Sequence, residues 1–134
     1  MAAYDIPYGY TRQLRGTKFE QAVERTTEAL KAQGFGVLTT IDVKETLKKK
    51  IGVDFRRFVI LGACNPALAH RALSSELGVG LLLPCNVTVF EGDEGEIVVQ
   101  AIRPQSMFEV VKKAGMESIV AEADEKIRLA IEAL

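Results

Sequence analysis

An unbroken apolar run that stops at a Gly-Ala-Cys-Asn-Pro turn, over residues 58–66, most constrains the fold of this chain. Residues 58–61 have no polar interruption, which is typical of a strand covered on both faces. Asn65 is a favoured N-cap residue, and Pro66 fits the first helical position, where no N–H is needed. The pattern therefore predicts a strand, a tight turn and a helix, with Cys64 at the N-terminus of the helix.

Cys64 has two interpretations at this position. The partial positive charge of a helix N-terminus favours the thiolate, so this is where a reactive cysteine would be expected. The alternative is a small apolar core residue at a strand end, because free cysteine is among the most buried residue types. The structural interpretation is the commoner one in proteins, and the pattern alone does not decide between them.

The rest of the chain alternates between strand and helix patterns. Alternating residues from Tyr4 to Tyr10 predict a first strand, which Pro7 confines to a sheet edge because it cannot donate to a ladder. Asp42 predicts the start of a short helix, and Pro104 the start of a longer one that Gly115 ends. A hairpin loop at residues 92–95 joins two further strands, at 87–90 and 97–102.

The predicted element order is β-α-β-α-β-α-β-β-α-α, in a single domain over residues 1–134. Amphipathic helices combined with alternating strands favour the α+β class. We expect a single mixed sheet with helices packed mainly on one face.

Composition narrows the classes of partner. Seventeen basic residues against 18 acidic ones leave a net charge of −1. The chain therefore lacks the excess of positive charge that is typical of proteins that bind nucleic acid or an anionic membrane. The apolar runs are too short for a membrane span. The first residues lack the pattern of a signal peptide, so we expect a cytoplasmic protein whose cysteines are reduced.

Two fragments share the pair Cys-Asn, at residues 63–66 and 84–87. If the chain after the helix returns as a strand, Cys64 and Cys85 meet at the same end of the sheet. If residues 81–84 form a loop, the two residues lie at opposite ends. Adjacent thiols would permit reversible disulfide chemistry or a soft-metal site.

His70, the only histidine, lies six residues after Cys64 and is either a ligand or an ordinary helix residue. One histidine and two cysteines fall short of a closed zinc site, and the chain carries no CxxC, HExxH, P-loop or GxSxG motif. No catalytic residue, metal or cofactor can be assigned. The candidate ligand-binding residues are Cys64, Asn65, His70, Cys85 and Asn86.

The run GFGVLTTIDVKETLKKKIGVDFRRFVILGACNPALAHRALSSELGVGLLLPCNVTVFE resembles the domain-of-unknown-function family 302. The motifs that carry the resemblance are IDV before a short helix, GACNP followed by ALAHRAL, and LLLPCNV. Residues 101–104 with Met107 fit its later part. The resemblance implies a compact α+β fold of bacterial and archaeal type, a homodimer, and no established activity. By motif position it directs attention to Cys64, Asn65, Pro66, Pro84 and Cys85.

Three functions remain open. The first is a small homodimeric domain that binds a small ligand or metal ion near Cys64 and Cys85. The second is a thiol-dependent enzyme or redox protein that uses Cys64. The third is a protein-interaction module with structural cysteines, in which Tyr4, Tyr8 and the hairpin edge make the contact.

Overall fold

A five-stranded antiparallel sheet forms the centre of the protein. The structure is a computed structural model that describes residues 3–111 and 113–134. The strand order is β1-β5-β4-β3-β2. The strands are β1 (Gly9–Leu14), β2 (Gly36–Asp42), β3 (Phe58–Cys64), β4 (Cys85–Glu91) and β5 (Ile97–Ile102).

Within the described residues, five α-helices connect and cover these strands. They are α1 (Phe19–Ala32), α2 (Val43–Ile51), α3 (Pro66–Ser75), α4 (Pro104–Met107) and α5 (Glu117–Glu132). The α+β class and the predicted element order are confirmed. The sheet is antiparallel throughout rather than mixed, because α2 and α3 connect neighbouring strands that run in opposite directions and make no parallel crossover.

The main core lies between one face of the sheet and helices α1 and α5. Alternate residues of each strand point to this face, as the two-residue period of a strand requires. The fully buried members include Val87, Val89 and Val99 from the sheet and Ala22, Leu30 and Ile127 from the two helices.

The segment before β1 covers part of the opposite face. The Tyr4 ring meets Phe90 edge-on with centroids 5.6 Å apart, and Phe58 stacks on Phe90 at 5.0 Å. Gln100 Nε2 donates to the Tyr4 carbonyl at 2.7 Å. The strand predicted from Tyr4 therefore begins later, at Gly9, because the preceding residues form turns held by side chains of the sheet.

One predicted helix differs from expectation, and the start of another is confirmed. The helix predicted from Pro104 to Gly115 ends at Met107 and continues as a 3-10 turn over Phe108–Val110. The following β-branched valines are poor helix formers, which accounts for the early end. Asp42 caps α2 as predicted, with its Oδ1 accepting from Glu45 N at 2.9 Å, but none of the nine described α2 residues is buried.

The free edges of the sheet are β1 and β2. The hairpin of β4 and β5 lies inside the sheet, since β4 also pairs with β3 and β5 with β1. The hairpin edge that the sequence suggested for partner contact is therefore occupied. In the part of the chain that the structure describes, every helix is too short or too polar to cross a bilayer.

Candidate functional site

The turn between β3 and α3 is fixed by Asn65. Its Oδ1 accepts a hydrogen bond from Leu68 N at 3.2 Å, and Pro66 occupies the first helical turn, so the predicted cap is confirmed. Its Nδ2 donates to the Gln33 carbonyl at 3.4 Å. Gly34 has a φ of +83°, and a Cβ there would lie 2.9 Å from Asn65 Nδ2. The turn is thereby joined to the end of α1.

Cys64 and Cys85 come together at one end of the sheet. Cys85 lies opposite Ala63 in the β3–β4 register, so the two cysteines are one residue apart along neighbouring strands. Both are free thiols; Cys85 is buried and Cys64 is half-buried. The two cysteines thus lie at the same end of the sheet, although residues 81–84 do not form the returning strand on which the sequence made that arrangement depend.

The two thiols line a cavity of about 30 Å³, which we call the thiol cavity. A water needs roughly 10–15 Å³ of such space, so the thiol cavity has room for about two water-sized groups. Its other walls are almost entirely apolar and come from α3, α5 and two loops. They are Phe35, Asn65, Leu68, Ala69, Ala72, Leu83, Phe108, Ile119, Val120 and Ala123.

Burial sets the protonation state of both thiols. It raises the pKa of Cys64 above its ordinary value of 9.0. It also raises the pKa of Cys85 from 9.0 to about 12, with a smaller contribution from the neighbouring Cys64 charge. Burial thus opposes the thiolate that a helix N-terminus would favour at Cys64. Both cysteines present neutral S–H groups at neutral pH.

The other two candidate residues lie elsewhere. His70 is exposed on α3 and does not line the thiol cavity. Asn86 is exposed on β4, and it lines a separate hollow with Ile6 and Tyr8. Among the described residues, no three His, Cys, Asp or Glu side chains are grouped as a metal ion would need. The structure thus brings together Cys64, Asn65 and Cys85 and leaves His70 and Asn86 outside.

Sequence reasoning missed the far wall of the thiol cavity. Val120 and Ala123 lie three residues apart, as residues on one helix face do, but nothing local indicates that they face the cysteines. Phe108 falls in the segment whose structure was mispredicted. These contacts join residues more than 20 positions apart in the chain, and a single sequence carries no signal for them.

A second surface stands out at the β2 edge. Three large apolar side chains there are exposed: Leu38 by 66%, Ile41 by 47% and Ile51 by 65%. Leu38 is the extra residue of a β-bulge, since Val37 pairs with Ala63 and Thr39 with Gly62. We call Leu38, Ile41 and Ile51 the β2-edge patch.

Comparison with known proteins agrees with this fold. A family model described as domain of unknown function DUF302 matches residues 10–134. The crystal structure of an uncharacterized conserved DUF302 protein from Bacillus stearothermophilus is similar, with a TM-score of 0.85 and 31% sequence identity. The similarity covers 95% of this chain and 98% of that chain. The comparison with curated protein sequences returns no match.

Proposed function

Since the chain belongs to the domain-of-unknown-function family 302, whose description names no activity, we propose its function from its own geometry: it binds the uncharged, apolar part of a small molecule in the thiol cavity. The observation that carries this proposal is that Cys64 and Cys85, from two different strands, line one apolar cavity. Apolar cavities of this kind accept apolar guests because they hold no water that must be displaced at a cost.

The chemistry of the walls supports an uncharged ligand. A charged group in an apolar cavity would lose its hydration without finding a partner. The raised pKa of both thiols leaves weak S–H donors rather than thiolates.

The raised pKa of the thiols also argues against a thiol-dependent enzyme, which needs thiolate near neutral pH. A metal ion would have only two sulfur ligands here, so the ligand is organic rather than metallic. Reduced thiols are expected in the cytoplasm, where we place the protein.

Xenon provides a direct test, because it enters apolar cavities and carries no polar group. Titration followed by amide NMR should give saturable shifts around Cys64, Leu68 and Cys85. Ala69 lines the thiol cavity, so Ala69→Val should abolish them. Ala67→Val is the matched control, because Ala67 is exposed on the same helix and lies outside the thiol cavity. Absent shifts in the wild type, or shifts that survive Ala69→Val, would refute the proposal.

We also propose that two copies of the chain associate through the β2-edge patch. The observation that favours this is an open edge strand beside exposed apolar side chains, a combination that solitary proteins usually avoid. A two-fold axis beside β2 would pair two β2 strands antiparallel and make one continuous sheet of both copies. The same axis would bring the exposed side of α2, a helix without a fully buried residue, against its counterpart.

Sedimentation over a range of concentrations tests the association. Ile41→Lys should shift the protein from dimer to monomer, because it places a desolvated charge in the shared edge. Leu81→Lys is the control, since Leu81 is 92% exposed and lies outside the β2-edge patch. A monomeric wild type, or equal behaviour of the two variants, would refute the dimer.

A further inference from the structure

A hollow of about 150 Å³ lies on the face of the sheet opposite the main core, between the segment before β1 and strands β4 and β5. We call it the sheet hollow. It shares no lining residue with the thiol cavity. The lining side chains that matter here are Ile6, Tyr8, Asn86, Thr88, Gln100 and Ile102.

The floor of the sheet hollow is polar because of the strand register. Asn86 and Thr88 alternate along β4 with Val87 and Val89, which are buried in the main core, so the two polar residues face the other side. Gln100 lies opposite Thr88 in the β4–β5 pairing and therefore shares that face. The sheet thus presents two amides and a hydroxyl beside one another.

The segment before β1 forms the roof. Ile6 lies directly over Gly9, since a Cβ on Gly9 would be 3.1 Å from Ile6 Cδ1. The Tyr8 carbonyl accepts a hydrogen bond from Arg103 N at 2.9 Å, which ties the roof to the end of β5. Tyr8 itself is more than half exposed. Its backbone is therefore held while its ring remains open to a ligand.

The polar groups of the floor have unused hydrogen-bonding capacity. Gln100 Nε2 donates to the Tyr4 carbonyl at 2.7 Å and to the Thr11 hydroxyl at 3.4 Å, which orients the amide and leaves its Oε1 as an acceptor. Among the described residues, the Asn86 amide and the Thr88 hydroxyl have no hydrogen-bond partner. Asn86 therefore offers a donor and an acceptor side by side.

We propose that the sheet hollow binds a neutral, planar nitrogen heterocycle that carries an amino group beside a ring nitrogen, as adenine does. This site is separate from the thiol cavity and does not depend on ligand binding there. A side-chain amide pairs with such an edge through one donated and one accepted hydrogen bond. Asn86 makes this pair, Tyr8 stacks on the ring, and Ile6 and Ile102 supply apolar contact.

Volume and charge narrow the class further. The sheet hollow has room for roughly ten water-sized groups, about the size of one bicyclic base. Among the described residues, none that lines it is charged, so the phosphate of a nucleotide would find no cation there. A purely apolar guest would leave the amides unpaired. The geometry therefore favours a free base or a nucleoside over a nucleotide.

The test is titration of the full chain with adenine, followed by amide NMR. Saturable shifts are expected at Asn86, Thr88 and Gln100. Asn86→Leu should weaken binding about tenfold or more, because leucine has a similar size but offers neither hydrogen bond. Gln105→Leu is the matched control, since Gln105 is an exposed amide on α4 outside the sheet hollow, and its affinity should stay within about twofold of the wild type.

Two ligand comparisons separate the proposed pairing from simple apolar contact. Purine lacks the amino group and should bind at least about fivefold more weakly than adenine. Adenosine monophosphate should bind no more tightly than adenosine. Asn86→Asp, which keeps an acceptor and removes the donor, replaces Asn86→Leu if that variant does not fold. Absent shifts with adenine, full affinity in the Asn86 variant, equal binding of purine, or tighter binding of the nucleotide would each overturn the proposal.

Discussion

Cys64 and Cys85 lie one residue out of register on neighbouring strands, and both line the thiol cavity. The β3–β4 pairing places them together, and burial then keeps both protonated. A pair of neutral thiols in hydrocarbon is an apolar wall with two weak donors, rather than a nucleophile. The position and the protonation state of the two thiols together support the proposed binding of an uncharged ligand.

The first prediction concerns the pH dependence of stability. The folded-state pKa of Cys85 is raised from 9.0 to about 12, so its contribution is fully present below about pH 9 and is lost as the pH rises toward 12. Linkage predicts a loss of about 1.4 kcal/mol in the free energy of unfolding between about pH 8 and pH 10. Denaturant unfolding of the wild type and Cys85→Ala should show this loss in the wild type and a smaller one in the variant.

Val87→Ala serves as the control for that experiment. Val87 is fully buried beside Cys85 along β4 and carries no titratable group. The variant should be less stable by the same amount at every pH, with the wild-type slope retained. Parallel curves for the wild type and Cys85→Ala would contradict the assignment of the slope to this thiol.

The second prediction concerns thiol reactivity. Cys64→Ser and Cys85→Ser each leave one thiol, and both variants should react with Ellman's reagent more slowly than free cysteine near neutral pH. The remaining Cys85 should be slower than the remaining Cys64, because it is more buried and its pKa is raised further. After unfolding in denaturant the two rates should become equal. A native thiol that reacts faster than free cysteine would instead support the hypothesis of a thiol-dependent enzyme.

Local chemistry made part of this site predictable from sequence. Asn65 and Pro66 identify the start of α3 because capping depends on a few adjacent residues. The hairpin after residue 91 was predictable for the same reason, and the observed β5 runs from Ile97 to Ile102 as expected. Strong local preferences of this kind need no knowledge of the rest of the chain.

The meeting of the thiols was not predictable, because it depends on register. After α3 the chain forms a 3-10 turn over Leu77–Leu82, which is not the returning strand that this arrangement was expected to need. Whether Cys85 then arrives beside Cys64 is decided by packing of the whole sheet. The wall formed by Phe108 and α5 depends on still more distant contacts, and the short α4 shows how weak the helix signal was there.

The third prediction concerns a buried hydrogen-bond cluster that joins β1, α4 and α5. Asp124 accepts from the Tyr10 hydroxyl through Oδ1 and from Gln105 N through Oδ2. Asp124 is only 6% exposed, so removing a donor leaves part of its charge unpaired. Tyr10→Phe should lower the free energy of unfolding by about 1–3 kcal/mol, as measured by denaturant titration.

Asp54→Asn is the matched comparison for that cluster. Asp54 pairs with Lys48 at 3.0 Å, but its side chain is 85% exposed. Surface ion pairs contribute little, so this variant should unfold like the wild type. If Tyr10→Phe also left the free energy of unfolding unchanged, the cluster would have no measurable role in stability.

The fourth prediction compares two helix N-caps in which a side-chain oxygen accepts a hydrogen bond from the backbone N–H three residues later. Asn65 caps α3, whose Leu68 and Ala72 are buried, whereas Asp42 caps α2, whose innermost side chains are only half-buried. Asn65→Ala should reduce the free energy of global unfolding by about 1 kcal/mol, since α3 cannot fray without exposing core. Asp42→Ala should leave the global transition nearly unchanged and instead speed amide hydrogen exchange within α2, because that helix can open alone. Equal losses of global stability would show that α2 is coupled to the core, and would also weaken the case for a free surface at the β2 edge.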